Sequence, residues 1–159
     1  MSMTNRPDSI QLKRAIPASP SRVYNAWLDP MILRRWLAPG DWTISEVEID
    51  PRVGGRYRVR QVDGDGNEGG FESEILELEP YRRIVFRWGF AGPRGAAGPV
   101  YDSILTIELA LTDGGRTELT LIHDRLDTLR AALPGVADEV YAGWRAVIDK
   151  LALLVARAG

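Results

Sequence analysis

The stretch Val47-Glu48-Ile49-Asp50-Pro51-Arg52-Val53-Gly54-Gly55-Arg56-Tyr57-Arg58-Val59-Arg60 decides the fold. Both of its halves alternate apolar and charged residues, the period of an extended strand with one buried face, and Asp50-Pro51 with Gly54-Gly55 separates them as a turn would. Arg56, Arg58 and Arg60 therefore share one face, and Tyr57 and Val59 the other.

Outward from this pair, the same period runs from Asp41 to His123. It predicts strands at Trp42–Ile49, Arg56–Val62, Phe71–Leu78, Arg83–Phe90, Ser103–Leu111 and Arg116–His123, with an earlier one at Ser9–Ile16. Turn signals stand at Gly54-Gly55, Asp63–Asn67, Glu79-Pro80 and Asp113–Gly115. Such short connections imply an antiparallel meander. The longer Gly89–Pro99 segment, rich in glycine, reads as a mobile loop.

Helical signals flank the strands. Ser19 followed by Pro20 is a cap followed by a residue suited to the first helical position, and Val23, Tyr24, Trp27 and Leu28 form an apolar stripe behind them. Asp29-Pro30 repeats the signal and opens a second short helix, Met31–Leu37, which Pro39-Gly40 ends. A long helix is predicted from Val136 to Arg157, with Val140, Trp144, Val147, Ile148, Leu151, Leu154 and Val155 on one face. Residues Leu126–Gly135 fit either a small helix or a loop. The expected class is α+β, a single domain over residues 1–159 with its core at about 10–157.

Composition narrows the chemistry. The 159 residues contain no cysteine and one histidine, His123. Thiol nucleophiles, disulfides and cysteine-held metals are thereby excluded, as is any metal site needing two imidazoles. Twenty basic against 22 acidic residues give no electrostatic reason to expect a nucleic-acid partner. Met1–Ser9 is polar, unlike a secretory signal, and no run approaches the roughly 18 apolar residues of a membrane span. A cytoplasmic location without membrane insertion is the expectation.

Strand parity separates two faces. Glu46 and Glu48, then Arg56, Arg58 and Arg60, then Glu72 and Glu74, then Arg83 and Arg87 would form neighbouring columns of alternating sign, the arrangement cross-strand pairing favours. The opposite face carries Tyr57, Phe71, Phe86, Trp88 and Phe90, and only the long helix is large enough to cover it. From parity alone, these aromatics either fill a core or line a small-molecule pocket. Leu105, Ile107, Leu109 and Leu111 share the inward face of their strand, as do Thr117, Leu119, Leu121 and His123.

Five segments in order resemble the activator of heat-shock protein 90 ATPase homologue family, within the START-like superfamily that includes the birch pollen allergen fold. They are Pro17 through Trp27, Leu33-Arg34-Arg35-Trp36, Val47 through Tyr57, Glu77-Leu78-Glu79-Pro80 with Arg83, and Gly143-Trp144 with Leu151. The resemblance covers about residues 10–157. It implies a helix-grip fold, a seven-stranded antiparallel sheet wrapped around the C-terminal helix, with the tandem short helices closing one end. It also implies a cavity between helix and sheet faced by Tyr57, Phe71, Phe86, Trp88 and Trp144. Phe90, His123 and Ile148 join them as ligand-binding candidates from the strand and helix faces, whereas Trp36 reads as structural.

The leading functional expectation is binding of a small, mostly hydrophobic molecule, with no cofactor or metal. An enzyme acting on a hydrophobic substrate is the alternative, as some START-like relatives are cyclases, dehydratases or hydrolases. His123 is its weak catalytic candidate, since an imidazole can exchange protons near neutral pH. No nucleophile motif accompanies it, and a lone histidine at a strand end is more often hydrogen-bonded structure. A co-chaperone role is the third reading. It is disfavoured because the chain matches only the C-terminal domain type of the family's namesake. Trp42 and Ile122, read as exposed apolar residues, are candidates for a homodimer interface.

Overall fold

Alternating side chains and tight turns convert the central sequence into a continuous sheet. The computed structural model describes residues 8–92 and 98–157, the side chain of Arg157 excepted. Its strands are β1 (Ile10–Ile16), β2 (Thr43–Ile49), β3 (Arg56–Val62), β4 (Glu68–Glu79), β5 (Arg83–Ala91), β6 (Val100–Thr112) and β7 (Arg116–Asp124). The helices are α1 (Pro20–Leu28), α2 (Pro30–Leu33), α3 (Asp127–Ala132) and α4 (Pro134–Arg157). The seven strands form one antiparallel sheet in the order β1-β7-β6-β5-β4-β3-β2. This is the expected meander, with β1 added beside β7. The long helix covers its aromatic face, which is the helix-grip arrangement.

Both predicted caps form. Ser19 Oγ accepts from the Arg22 N–H at 3.3 Å, and Asp29 Oδ1 accepts from the Met31 N–H at 2.9 Å, each cap followed by proline. The second helix is shorter than expected, because α2 stops at Leu33. Beyond it, Arg35 and Trp36 donate three residues back, to the Ile32 and Leu33 carbonyls, tightening the chain into turns that carry Trp36 and Leu37 into the core. Trp36 Nε1 donates to the Ala26 carbonyl at 3.1 Å, consistent with its structural reading.

Several strands outrun their predicted ends. Gly69 and Gly70, which lie between the predicted turn at Asp63–Asn67 and the predicted strand from Phe71, are paired into β4 opposite Gln61 and Arg60. At Gly70, φ is +155° and an added Cβ would stand 2.0 Å from the Val59 carbonyl oxygen, so only glycine lets β3 and β4 approach here. Gly89 and Phe90, shared by the predicted Arg83–Phe90 strand and the expected loop, belong to β5, which runs one residue further to Ala91. Residues 93–97 of that segment lie outside the described residues, as do Met1–Pro7. The open question at Leu126–Gly135 resolves into α3 followed by the start of α4.

The outer face carries the expected columns of charge. Arg58 bridges Glu46 and Glu72, Arg56 meets Glu48 at 3.6 Å, and Arg87 joins Glu74 to Asp102. Exposed pairs of this kind contribute at most about 1 kcal/mol each, so they favour register and solubility more than stability. One inward and two exposed assignments are corrected. Leu111 is 69% exposed because β6 extends past the cover of the helices, and Trp42 and Ile122 are half-buried rather than exposed, Trp42 packing on the core.

The geometry at Gly70 sets a first prediction. Gly70→Ala combines a disfavoured φ with a backbone collision and should cost about 2 kcal/mol or more. Gly64→Ala, where nothing lies within 4 Å of the new Cβ, should change stability by under about 0.5 kcal/mol. Urea denaturation of the two variants compares them directly.

Candidate functional site

The inner face is a run of aromatic rings laid out by strand register. Phe71 stands between Val59 on β3 and Phe90 on β5, and Phe90 pairs in turn with Tyr101 on β6. One step along β5, Trp88 pairs with Ser103. Phe71 and Trp88 have ring centroids 4.7 Å apart, and Trp88 lies 5.5 Å from Trp144, which α4 lowers onto the sheet.

Helix and sheet do not close completely. An inner cavity of about 160 Å³ is bounded by Phe71, Trp88 and Phe90 from the sheet, by Val136, Glu139, Val140, Gly143, Trp144 and Val147 from α4, and by Leu37 and Pro39 from the segment after α2. Lys150 holds that segment against the helix through the Ala38 carbonyl, 2.6 Å away. A wider outer cleft of about 580 Å³ shares Phe71, Phe90 and Val136 with the inner cavity. Among the described residues, Trp42, Gln61, Glu68, Gly69, Tyr101, Leu129 and Leu133 also line it.

Four of the predicted site residues, Phe71, Trp88, Phe90 and Trp144, are thus brought together on the walls of these spaces. Tyr57, Phe86, His123 and Ile148 are fully buried and line neither. The Tyr57 hydroxyl donates to the Trp27 carbonyl at 2.5 Å, away from either space. Burial holds its pKa well above the ordinary tyrosine value. Phe86 packs between Tyr57 and Trp88 in the core.

His123 sits in a directed chain of hydrogen bonds. The Trp144 indole, which can only donate, gives its Nε1 proton to His123 Nδ1 at 2.9 Å. The imidazole proton must then be on Nε2, where it is donated to Ser103 Oγ at 2.7 Å. Ser103 passes its own proton to the Trp88 carbonyl at 2.9 Å. Phe90 stacks on the imidazole, centroids 5.6 Å apart and planes 10° from parallel. Burial pushes His123 from its usual 6.5 down to about 3. Its acceptor lone pair is occupied, and the ring is poorly placed to take a proton from a substrate.

The strand and helix faces left several wall residues unmarked. Gln61 shares the inward parity of Tyr57 and Val59, so the period of two was the signal that could have found it. Gly143 stood beside Trp144 in a segment already noticed, and its missing side chain opens the inner cavity: nothing lies within 4 Å of a Cβ built there. Buried nitrogens without a hydrogen-bond partner among the described residues are Trp27 Nε1, Gln61 Nε2, Arg83 Nε and Trp88 Nε1. Two of these, on Gln61 and Trp88, belong to residues of the cleft walls. No cluster of potential metal ligands occurs among the described residues, and no helix there is long and apolar enough to cross a membrane.

Residues 17–156 match the family described as Activator of Hsp90 ATPase homolog 1-like protein. No match is found among curated proteins. Among solved structures, protein CV1439 from Chromobacterium violaceum is 33% identical, covering 94% of this chain and 99% of that one at a TM-score of 0.81. Protein NE0264 from Nitrosomonas europaea is 25% identical, covering 97% of each chain at a TM-score of 0.78. An AHSA1 protein from Silicibacter pomeroyi, 19% identical over 95% of this chain and 99% of its own, has a TM-score of 0.76 and shares the fold.

The buried imidazole makes stability depend on acid. Between about pH 6.5 and 3 the unfolded chain binds a proton at His123 that the folded chain excludes, so this contribution is present above pH 6.5 and is lost as pH falls. His123→Gln should lower stability at pH 7 by about 1–3 kcal/mol through the disrupted bonds. It should also flatten the slope below pH 6.5 by up to about 1.4 kcal/mol per pH unit. Urea denaturation of both proteins from pH 4 to 7 checks this, and parallel curves would refute it.

Proposed function

Since the chain belongs to the Activator of Hsp90 ATPase homolog 1-like family, we propose that it uses its helix-grip scaffold to bind a small, mostly apolar molecule between sheet and helix. The observation that carries this reading is the pair of adjoining clefts sharing Phe71, Phe90 and Val136. An apolar space of about 150 Å³ holds one benzene-sized ring, and sites for larger ligands run from about 300 to 1,000 Å³. The inner cavity alone therefore accepts one ring or a short chain end, while the outer cleft has room for the rest of a larger molecule.

Rigid aromatic walls suit binding, because Trp88 is held by packing against Phe71 and Trp144, and Trp144 also by its hydrogen bond to His123, so both lose little freedom when a ligand arrives. Occupation of both His123 nitrogens supports binding over turnover at this site.

Gly143 supplies the test. Gly143→Leu places a side chain in the inner cavity and replaces a helix-interior glycine, which should raise stability by about 0.5–1 kcal/mol. A thermal-shift screen of the unmodified protein against fatty acids, sterols, flavonoids and terpenoids should find a class that stabilises it. At 100 times its dissociation constant, a ligand adds about 2.7 kcal/mol, or about 5–10 °C in melting temperature. Gly143→Leu should abolish that shift while melting at or above the unmodified protein. No shift with any class, or a shift that survives the substitution, would sink the proposal.

A further inference from the structure

Gln61 is an unusual residue for its position. On the inward face of β3 it follows Tyr57 and Val59, where a third apolar side chain would cost nothing, and it is only 6% exposed. Its Nε2 has no hydrogen-bond partner among the described residues, although buried amides are nearly always satisfied. Across one ladder stands Gly69, which has no side chain to cover the carboxamide, and across the other stands Ile44, which is apolar and offers it no hydrogen bond. A Cβ built on Gly69 would find ordinary contact distances, 3.9 Å to the Ala91 carbonyl oxygen and 4.0 Å to the Trp42 ring. A methyl-sized space is therefore open beside Gln61, against the Trp42 ring, in the wall of the outer cleft.

A rotated carboxamide can present either its oxygen or its nitrogen, so Gln61 alone does not decide what it recognises. Trp88 does. It lines the inner cavity, its indole can only donate, and its Nε1 is also without a partner among the described residues. The charged residues among the described walls are Glu68 and Glu139, and neither cleft shows a cation there. Glu68 lies 3.6 Å from Arg60, whose guanidinium also donates to the Gly92 carbonyl, so an anionic ligand would lose its hydration beside walls that carry carboxylates and, among the described residues, no cation of their own.

Resting on the reading that these clefts bind an apolar molecule, we propose that the ligand is uncharged and carries a carbonyl-type oxygen, which accepts a hydrogen bond from the Gln61 carboxamide in the outer cleft. Selection then follows from the buried amide: a ligand with the oxygen satisfies it, and a hydrocarbon of the same shape leaves it unpaired.

Three probes of one skeleton test this: acetylnaphthalene, isopropylnaphthalene and naphthoate, substituted at the same ring position, titrated calorimetrically into the full chain and into Gln61→Leu and Gln61→Met. In the unmodified protein, the ketone should bind about tenfold tighter than the hydrocarbon, and the carboxylate weakest. Both variants should lose the ketone preference and should melt no lower than the unmodified protein. Equal binding of ketone and hydrocarbon by the unmodified protein would overturn the inference and leave the clefts as a binding site. So would tightest binding of naphthoate, or a ketone preference that persists in both variants. Failure of all three probes, with no class active in the thermal screen, would overturn the binding reading itself and this inference with it.

Discussion

The grip of helix on sheet depends on one buried hydrogen bond, from the Trp144 indole to His123 Nδ1. Because the indole only donates, it dictates the tautomer of the imidazole, which then reaches through Ser103 to the Trp88 carbonyl. α4, β7, β6 and β5 are thus tied by a chain of donors and acceptors in which each group has one role available. The buried apolar face of the helix holds it to the sheet by close packing, and a directed polar chain in a dry interior adds a specific depth and rotation. The two tryptophans that wall the inner cavity stand at the ends of this chain, so the interaction that locates the helix also shapes the site.

The faces of the sheet divide the remaining work. Outside, arginine and carboxylate columns satisfy one another across neighbouring strands, exposed at Arg56 and Glu48 and partly covered at Arg58 and Glu72. Inside, aromatic side chains supply most of the buried bulk, with Phe86, Tyr57 and Trp27 filling the closed end beneath the short helices. Toward the other end the filling thins. Gly69 and Gly143 contribute no side chains there, and Phe71, Phe90 and Tyr101 are only partly covered. The openings follow from residues that are small where their neighbours are large.

Much of the fold was legible in the sequence because its signals are local. Ser19-Pro20 and Asp29-Pro30 read correctly as helix starts, and the parity of β3 placed Arg56, Arg58 and Arg60 opposite Tyr57 and Val59. The site was legible only in half. Parity identifies a side chain as inward without stating its depth, so Phe71, Trp88 and Phe90 on cleft walls could not be told from Tyr57 and Phe86 in the filled core. His123 was visibly inward at the end of its strand. Its two partners lie 20 and 21 residues away along the chain, one on β6 and one on α4, and only the assembled register brings them to the ring.

By itself, then, the sequence determined the period of each element, most of its boundaries, the antiparallel order of β2 through β7 and the charged face, since these rest on contacts between close neighbours in the chain or across short turns. The tertiary structure alone decided where α4 lies over the sheet, and therefore which aromatics touch empty space. It also decided that the Gln61 carboxamide faces a glycine rather than a partner. Those outcomes depend on the packing of side chains far apart in sequence, where a shift of one ring closes or opens a cavity, and no local pattern encodes that distance.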